Sequence, residues 1–263
     1  MRIFIKLGGS LITDKNLPHS ADIPTIQRLA EELHAATMAF PEMQLIIGHG
    51  SGSYGHVHAK IYSTRAGVHS QEEWNGFVEV WRQARDLTEI VVQALYQVKL
   101  PVIAIPPSAI IQAKDGKVQS LYTDTLAAAL THGLIPVVNG DVIFDSARGG
   151  TIFSTEDVFM ALADAFPPDV ILLCGQDEGV WQDFPRCEHL ISKIDRLSFQ
   201  NIQQSLSGSA GIDITGGMEE KVRLMLRLTE KLPAFKAIIF SGKEKGNLIK
   251  AISGQPIGTL ISN

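Results

Sequence analysis

Cysteine is scarce in this sequence, whose 263 residues include only Cys174 and Cys187. Two cysteines alone make up neither a disulfide framework nor a zinc-ligand spacing, which favours a reducing compartment. Long apolar runs are missing too, since no stretch approaches the roughly 18 residues of a membrane-spanning helix. The run Ile-Phe-Ile before Lys6 is too short for the core of a signal peptide. These absences predict a soluble, cytoplasmic protein without membrane insertion.

An excess of positive charge is also missing. The chain has 23 Lys and Arg against 28 Asp and Glu, a net charge of −5 and a pI near 5.9. A nucleic-acid surface needs a clustered basic face, so no nucleic-acid partner is expected. Any anionic ligand must therefore be held by a few placed cations rather than by a general positive field.

Two familiar nucleotide-binding motifs are not found. The Walker pattern GxxxxGK[ST] does not occur. The letters GSGSYG at residues 50–55 match GxGxxG, but no acidic residue ends a following strand about 20 residues later, as the dinucleotide fold requires. The motif match alone therefore carries little weight.

Short apolar runs alternate with longer segments of helical periodicity. The predicted strands are RIFIKL, QLIIGHG, VIAIPP, IPVVNGD, DVILLC and KAIIFSG, and predicted helices lie between them. Strands that are apolar throughout are typical of a sheet covered on both faces. The pattern predicts an α/β fold with an open, mainly parallel central sheet and helices on both faces. Residues 63–76 and 197–217 look irregular, and the chain reads as one unit with two functional halves.

Small-residue loops follow four of the predicted strands. They are GGS after the first, GHGSGSYGH after the second, NGD after the fourth and GQDEG after the fifth. In such a sheet, ligands bind outside the carboxyl ends of the strands. The four loops are therefore expected to form one site.

The second of these loops, residues 48–56, suits a phosphate group. Glycine lets backbone N–H groups approach an anion closely, although a flexible strand-to-helix turn would also account for the glycines. His56 ends the loop and could donate a hydrogen bond to a phosphate oxygen. His49 is expected to be a packing or surface residue.

Lysines accompany the other two candidate phosphate sites. Lys6 and Lys15 flank GGS in KLGGSLITDK and could neutralise the charge of a transferred phosphoryl group. In DITGGMEEK, Gly216 and Gly217 precede a helix that carries Lys221, and a helix N-terminus beside a lysine suits nucleotide phosphates. Solvated lysines and an ordinary helix start are the simpler alternatives.

Together these segments resemble the amino acid kinase superfamily and, within it, the isopentenyl phosphate kinases. The resemblance rests on KLGGSLITDK, GHGSGSYGHVHAKIY, NGDVIFD, STEDV and DITGGMEEK, whose order spans nearly the whole chain. It implies a single domain over 1–263, with an acceptor half at about 1–165 and a nucleotide half at about 166–263. It further implies ATP-dependent phosphorylation of isopentenyl phosphate, Mg²⁺ as a companion of ATP, and a homodimer.

The resemblance also implies roles for individual residues. Lys6, Lys15, His56 and Lys221 would be catalytic. ATP would be bound by Lys6, Gly8, Gly9, Ser10, Ser51, Asp157, Gly216, Gly217 and Lys221. The acceptor phosphate would be bound by Gly50, Gly55, His56 and Gly140. Two features depart from relatives: serines at 51 and 53 in the glycine-rich loop, and Gln176 and Glu178 where aspartates are common.

An apolar acceptor tail needs an apolar pocket. Phe77, Val80 and Trp81 lie at helical spacings, and Ile143 follows the NGD loop, so these four are the predicted tail contacts. An aromatic stripe on a helix is also typical of a core.

Three other functions remain open. A fosfomycin kinase would share the histidine-bearing loop, and a uridylate kinase would need a base-recognition element that is not evident. A non-catalytic nucleotide-binding module would have no need of transition-state lysines. ATP turnover that depends on an acceptor would exclude such a module.

Overall fold

The computed structural model describes residues 1–14, 16–54, 64–206 and 217–263. The strands in these ranges are β1 (Arg2–Leu7), β2 (Gln44–His49), β3 (Val102–Ala104), β4 (Ile111–Lys114), β5 (Lys117–Leu121), β6 (Ile135–Asn139), β7 (Asp141–Asp145), β8 (Gly149–Phe153), β9 (Val170–Gly175), β10 (Val180–Trp181), β11 (Leu190–Ile191), β12 (Lys193–Ile194), β13 (Lys236–Ser241) and β14 (Thr259–Ile261). The helices are α1 (Gly9–Ile12), α2 (Ile23–Ala39), α3 (Gln71–Gln97), α4 (Pro107–Ile110), α5 (Asp124–Thr131), α6 (Thr155–Ala165), α7 (Arg196–Leu206), α8 (Gly217–Lys231) and α9 (Asn247–Ile252), and a 3₁₀ turn spans Gly52–Tyr54.

The central sheet has eight strands in the order β12-β14-β13-β9-β1-β2-β6-β3. Its pairings are parallel except for that of β13 with β14. All six predicted strands are in this sheet, which confirms the open, mainly parallel arrangement. Because β1 lies between β2 and β9, the loops after these three strands end side by side.

Alternation along the strands divides the core into two layers. Phe4 faces one layer, where its ring lies 5.1 Å from that of Phe159 on α6. Ile3 and Ile5 face the other layer, which is closed by α2, α3 and α9. Period-two alternation of an apolar strand is what allows both faces to be covered. The predicted helices on both faces are therefore confirmed.

A second sheet, with the order β5-β4-β7-β8, was not predicted from the sequence. It is held by the carboxylate of Asp145, which accepts hydrogen bonds from the backbone N–H groups of Asp115, Gly116, Ala147 and Arg148. Partial burial acts to raise the pKa of Asp145, but these four donors outweigh it and hold the pKa at about 2. One carboxylate thus joins the β4–β5 and β7–β8 turns.

Both stretches that look irregular in the sequence contain helix. The first contains the start of α3, where Ser70 and Glu73 form a capping box. The second contains α7, which begins after a reciprocal pair of hydrogen bonds between Asp195 and Ser198. The many serine and glutamine residues obscured the helical periodicity of these segments, although the capping residues can be recognised in the sequence.

Both cysteines have free thiols. Within the described ranges, no helix combines the length and the apolar character needed to cross a membrane.

Candidate active site

A cleft that is open to solvent lies at the carboxyl ends of the central strands. Its walls include residues 8–10, 50–52, 140–141 and 175–177, which follow β1, β2, β6 and β9. The four small-residue loops noted in the sequence therefore meet in one place. Their convergence follows from the parallel order of the strands.

The centre of the cleft holds a buried ion pair. Lys6, near the end of β1, donates from Nζ to Oε2 of Glu156 over 2.5 Å, and the two side chains are 12% and 3% exposed. Burial alone would raise the pKa of Glu156, but the charges of Lys6 and Lys221 outweigh it and hold that pKa below its usual range. Glu156 is therefore an anion placed between two cations.

Glu156 was not predicted, whereas its neighbour Asp157 was. The structure uses Asp157 to close the N-terminus of α6: its carboxylate accepts from the N–H and hydroxyl of Ser154, and its own N–H donates to Ser154 Oγ. Asp157 does not contribute to the walls of the cleft, while Glu156 does. Adjacent residues of a helix point in different directions, so the side chain of Glu156 lines the cleft and that of Asp157 caps the helix.

The first two glycine loops touch each other through their backbones. A Cβ built on Gly9 would lie 2.4 Å from the nitrogen of Gly52, and one built on Gly50 would lie 2.7 Å from the nitrogen of Gly9. Thr13 stabilises this contact, since its Oγ1 donates to Gly9 O over 2.7 Å and accepts from Ser53 N over 2.9 Å. The glycines are required here by the close approach of two chains.

Backbone donors are available where these loops face the cleft. The first N–H groups of a helix lack intrahelical acceptors, and α1 begins at Gly9 and Ser10, both of which line the cleft. Gly8, Gly50 and Ser51 line it beside them. The N–H groups of Gly8 and Gly50 already donate to the carbonyl oxygens of Cys174 and Leu7. The N–H groups of Gly9, Ser10 and Ser51, together with the lysines, can therefore bind anionic oxygens.

A further wall of the cleft comes from the loop after β9 and from α8. Met218 and Lys221 of α8 line the cleft, while Gly217 begins the helix behind them. The side-chain amide of Gln176 donates to Ser10 O over 2.5 Å, and its backbone carbonyl accepts from Ser241 Oγ. An aspartate at position 176 could not donate that first bond, so the amide of Gln176 joins two loops of the site.

The opposite wall is apolar and comes from α3 and β8. It contains Val80, Ala84, Ile152 and Phe153, and Gly140 lies next to it. Of the predicted tail contacts, Val80 is thus in the cleft.

The other predicted tail contacts lie elsewhere. Phe77 and Trp81 line a separate groove with Phe144, formed by residues of α3, α4 and β7. Ile143 is fully buried in the main core, whereas its neighbour Val142 faces α3. Period-two alternation along β7 turns Ile143 away from the cleft, which corrects its prediction as a tail contact.

Four predicted site residues, Lys15, Gly55, His56 and Gly216, lie outside the described residues. Their assigned roles stay predictions from the resemblance.

His49 packs beneath the phosphate loops. It is fully buried, with Nε2 2.9 Å from Thr88 Oγ1 and Nδ1 3.2 Å from the carbonyl oxygen of Gly50. Because a carbonyl oxygen can only accept, we assign the neutral ring's proton to Nδ1. The Thr88 hydroxyl then shares its one proton between Nε2 and the carbonyl oxygen of Ala84, which is also 2.9 Å from Oγ1. Burial, assisted by the charge of Lys6, lowers the pKa of His49 to about 4. The ring fixes the carbonyl of Gly50.

This buried imidazole predicts a pH-dependent stability. The unfolded chain binds a proton near pH 6.5 and the folded one only near pH 4, so stability present above pH 6.5 is lost as the pH falls towards 4. From pH 7 to pH 5 we expect the free energy of unfolding to fall by about 2 kcal/mol through this group. Urea titrations of the wild type and the non-titrating His49→Gln variant at both pH values measure it. An equal pH effect in both proteins would contradict the assignment.

Sequence reasoning also missed Arg65. This residue lines the cleft from the segment before α3, and its guanidinium lies 3.5 Å from Asp157 Oδ2. The sequence offers no motif for it, because the segment lies between elements without regular periodicity. Only the fold brings it to the site.

Burial raises the pKa of the Cys174 thiol, which lines the cleft beside Gly175. A thiol held protonated is a poor nucleophile. The cleft is therefore suited to electrostatic chemistry rather than to covalent catalysis by cysteine.

Comparison with known proteins gives a consistent result. The model of the amino acid kinase family matches residues 1–241. The isopentenyl phosphate kinase of Methanocaldococcus jannaschii is 31% identical over 270 residues, covering 99% of this chain and 98% of that protein. The isopentenyl phosphate kinase of Methanothermobacter thermautotrophicus is 30% identical over 268 residues, with coverage of 99% and 98%.

Solved structures agree with these relatives. One from X-ray studies of isopentenyl phosphate kinase is 26% identical, with a TM-score of 0.83 and full coverage of both chains. The product complex of T. acidophilum isopentenyl phosphate kinase is 21% identical, with a TM-score of 0.79, and supports the fold.

Proposed function

Since the chain belongs to the amino acid kinase family and, within it, to the isopentenyl phosphate kinases, we propose that it transfers the γ-phosphoryl group of ATP to isopentenyl phosphate. The products are isopentenyl diphosphate and ADP. The observation that supports the proposal is the composition of the cleft, whose walls hold the Lys6–Glu156 pair, Lys221, the glycine loops after β1 and β2, and apolar residues of α3 and β8.

The reaction needs little covalent help from the protein. An oxygen of the acceptor phosphate attacks the γ-phosphorus, the bond from that phosphorus to the β,γ-bridging oxygen breaks, and ADP leaves with the electron pair. The acceptor oxygen is already anionic, so no strong general base is required. Positioning and charge neutralisation therefore supply the catalysis.

Individual residues have distinct parts in this proposal. Lys6 and Lys221 stabilise charge on the transferred phosphoryl group, and Glu156 holds both ammonium groups in place. Backbone N–H groups at Gly9 and Ser10 bind nucleotide phosphate oxygens, and Gly50 and Ser51 lie where the two substrates meet. Lys15 and His56 keep the roles that the resemblance implies, at the transition state and at the acceptor phosphate.

We propose Mg²⁺ as the companion of ATP. Among the described residues, Oε1 of Glu156 is a buried carboxylate oxygen without a hydrogen-bond partner, and the carboxylate of Asp177 also borders the cleft. Such oxygens fit a hard cation that is otherwise held by substrate phosphates and water. Bound there, Mg²⁺ would neutralise phosphate charge.

The apolar wall supports a prenyl acceptor over a polar one. Val80 and Ala84 on α3 face Ile152 and Phe153 on β8, and burial of a five-carbon tail against them is favourable. A small polar phosphonate such as fosfomycin would gain little from this wall. We also propose, from the family resemblance alone, a cytoplasmic homodimer.

A coupled ADP-release assay tests the function. MgATP is offered with isopentenyl phosphate, dimethylallyl phosphate, geranyl phosphate, fosfomycin or UMP, and product is identified by mass spectrometry. We expect turnover confined to the prenyl phosphates. Lys6→Ala, which removes a catalytic cation, controls for contaminating kinases. Turnover with fosfomycin or UMP alone would show that isopentenyl phosphate is not the acceptor. The absence of turnover with all five compounds would contradict the proposed kinase activity.

A further inference from the structure

Thr13 lies between the glycine loop that follows β1 and the one that follows β2. It comes directly after α1 and is 3% exposed. Its Oγ1 donates to Gly9 O over 2.7 Å and accepts from Ser53 N over 2.9 Å. A carbonyl oxygen can only accept and a backbone N–H can only donate, so the direction of both hydrogen bonds is fixed. One hydroxyl group thus connects the two loops.

The two loops are packed closely around this hydroxyl. A Cβ built on Gly52 would lie 2.1 Å from Thr13 Oγ1 and 2.6 Å from Gly9 O. The φ angle of Gly52 is 50°, in the left-handed region that favours glycine. The loops are therefore in direct contact at Thr13, and the lengths of its two hydrogen bonds set their separation.

The 3₁₀ turn after β2 has a second attachment to the segment that follows Thr13. The ring of Tyr54 lies 5.2 Å from that of His19, edge to face, and Ser53 Oγ accepts from Ser20 N over 3.2 Å. His19 is exposed, whereas Thr13 is buried. The Thr13 hydroxyl is therefore the inner of the two attachments and the one that is shielded from water.

This connection lies close in sequence to the predicted transfer residues. Thr13 stands two positions before Lys15, and Ser53 stands three positions before His56. The resemblance assigns Lys15 to the transition state and His56 to the acceptor phosphate. Gly9, on the other side of the hydroxyl, lines the cleft. A change in the Thr13 contacts would therefore alter the distance between groups that act on the nucleotide and groups that act on the acceptor.

We propose that the Thr13 hydroxyl is a positioning group for phosphoryl transfer, which fixes the distance between the nucleotide phosphates at the loop after β1 and the acceptor phosphate at the loop after β2. Each loop still binds its own substrate when the connection is lost, but the acceptor oxygen and the γ-phosphorus are no longer aligned. A misplacement of about 1 Å between reacting groups costs on the order of 100-fold in rate. The inference rests on the proposed function, because it concerns transfer between two bound substrates.

Steady-state kinetics and isothermal titration test the proposal on variants of Thr13. Thr13→Val replaces the hydroxyl by a methyl group, whereas Thr13→Ser keeps the hydroxyl. We expect Thr13→Val to lower kcat by about tenfold or more, while the KM values for ATP and isopentenyl phosphate and the Kd values for MgADP and isopentenyl phosphate stay within about threefold of wild type. Thr13→Ser should keep kcat within about threefold. If Thr13→Val does not fold, Thr13→Ala takes its place, since it removes the same hydrogen bonds without bringing a methyl group against Gly9 O.

Thr259→Val is the matched control. Thr259 is fully buried, and its Oγ1 likewise donates to a carbonyl oxygen, that of Ile191, over 2.6 Å and accepts from a backbone N–H, that of Val180, over 2.8 Å. It is not among the described residues that line the cleft. Urea titration should show a similar loss of stability in Thr13→Val and Thr259→Val, while kcat falls in Thr13→Val alone.

Each outcome answers a separate question. If Thr13→Val kept the wild-type kcat, or if Thr13→Ser lost as much as Thr13→Val, the hydroxyl would not position the loops, and the proposed function would stand. If Thr13→Val bound both substrates more weakly by the factor that kcat falls, or if Thr259→Val lost as much turnover, the effect would be one of stability and the inference would be wrong. If the wild-type protein did not phosphorylate isopentenyl phosphate, the proposed function would fail, and this inference with it.

Discussion

Replacing Glu156 with glutamine is expected to lower kcat by about 100-fold or more. The substitution keeps the shape of the side chain and removes the negative charge on which both Lys6 and Lys221 act. Without it, the two ammonium groups repel each other and the Lys6 ammonium loses its partner at 2.5 Å. Lysines displaced from the transferred phosphoryl group cannot stabilise it, so kcat falls more than the KM for either substrate rises.

Glu32→Gln is the matched control for this experiment. Glu32 is also a buried glutamate in a salt bridge, 2.8 Å from Arg28, and it too has one carboxylate oxygen without a partner among the described residues. It does not line the cleft. Both variants should lose stability, since each leaves a cation without its counter-charge. Only Glu156→Gln should lose turnover, and an equal fall of kcat in both variants would show that Glu156 acts through stability alone.

The central sheet could be predicted from the sequence because its strands are apolar throughout. Runs such as RIFIKL and DVILLC have no other stable place than a sheet covered on both faces. The smaller sheet was missed because β4 and β5 alternate polar and apolar residues and are only partly buried. The turn between β4 and β5 could have been recognised in the sequence, because Asp115-Gly116 is a typical pair of hairpin residues. Their φ angles are 51° and 71°.

The parts of the site that are formed by backbone groups could be predicted from the sequence. The parts that are formed by side chains were harder to predict. Glycine loops after parallel strands must meet, whatever the neighbouring residues are. The choice between Glu156 and Asp157 depends on helical phase, and the pattern Ser-x-x-Asp at residues 154–157 already assigned Asp157 to the cap. Arg65 could not have been found, because its position depends on contacts with β8 and α6 that no local pattern encodes.

Gly9→Ala is expected to abolish activity and to reduce the free energy of unfolding by about 3 kcal/mol. The new Cβ would lie 2.4 Å from the nitrogen and 2.7 Å from the Cα of Gly52, and these are backbone atoms that cannot rotate away. Gly52 has a φ of 50° and is itself confined by Thr13, so it cannot retreat from the contact. The loops after β1 and β2 must therefore separate, and a displacement of about 1 Å between reacting groups costs on the order of 100-fold in rate.

Gly175→Ala is the control that distinguishes the effect of this contact from a general sensitivity of the cleft glycines to substitution. A Cβ at Gly175 would meet no atom within 4 Å, so this variant should unfold at the wild-type urea concentration. Urea titration of both variants, with kcat measured beside it, makes the comparison. If Gly9→Ala kept the wild-type stability and turnover, the glycine pair in KLGGSLITDK would be an ordinary turn. If it lost both while Gly175→Ala kept its stability, the pair exists because the loops after β1 and β2 touch at Gly9.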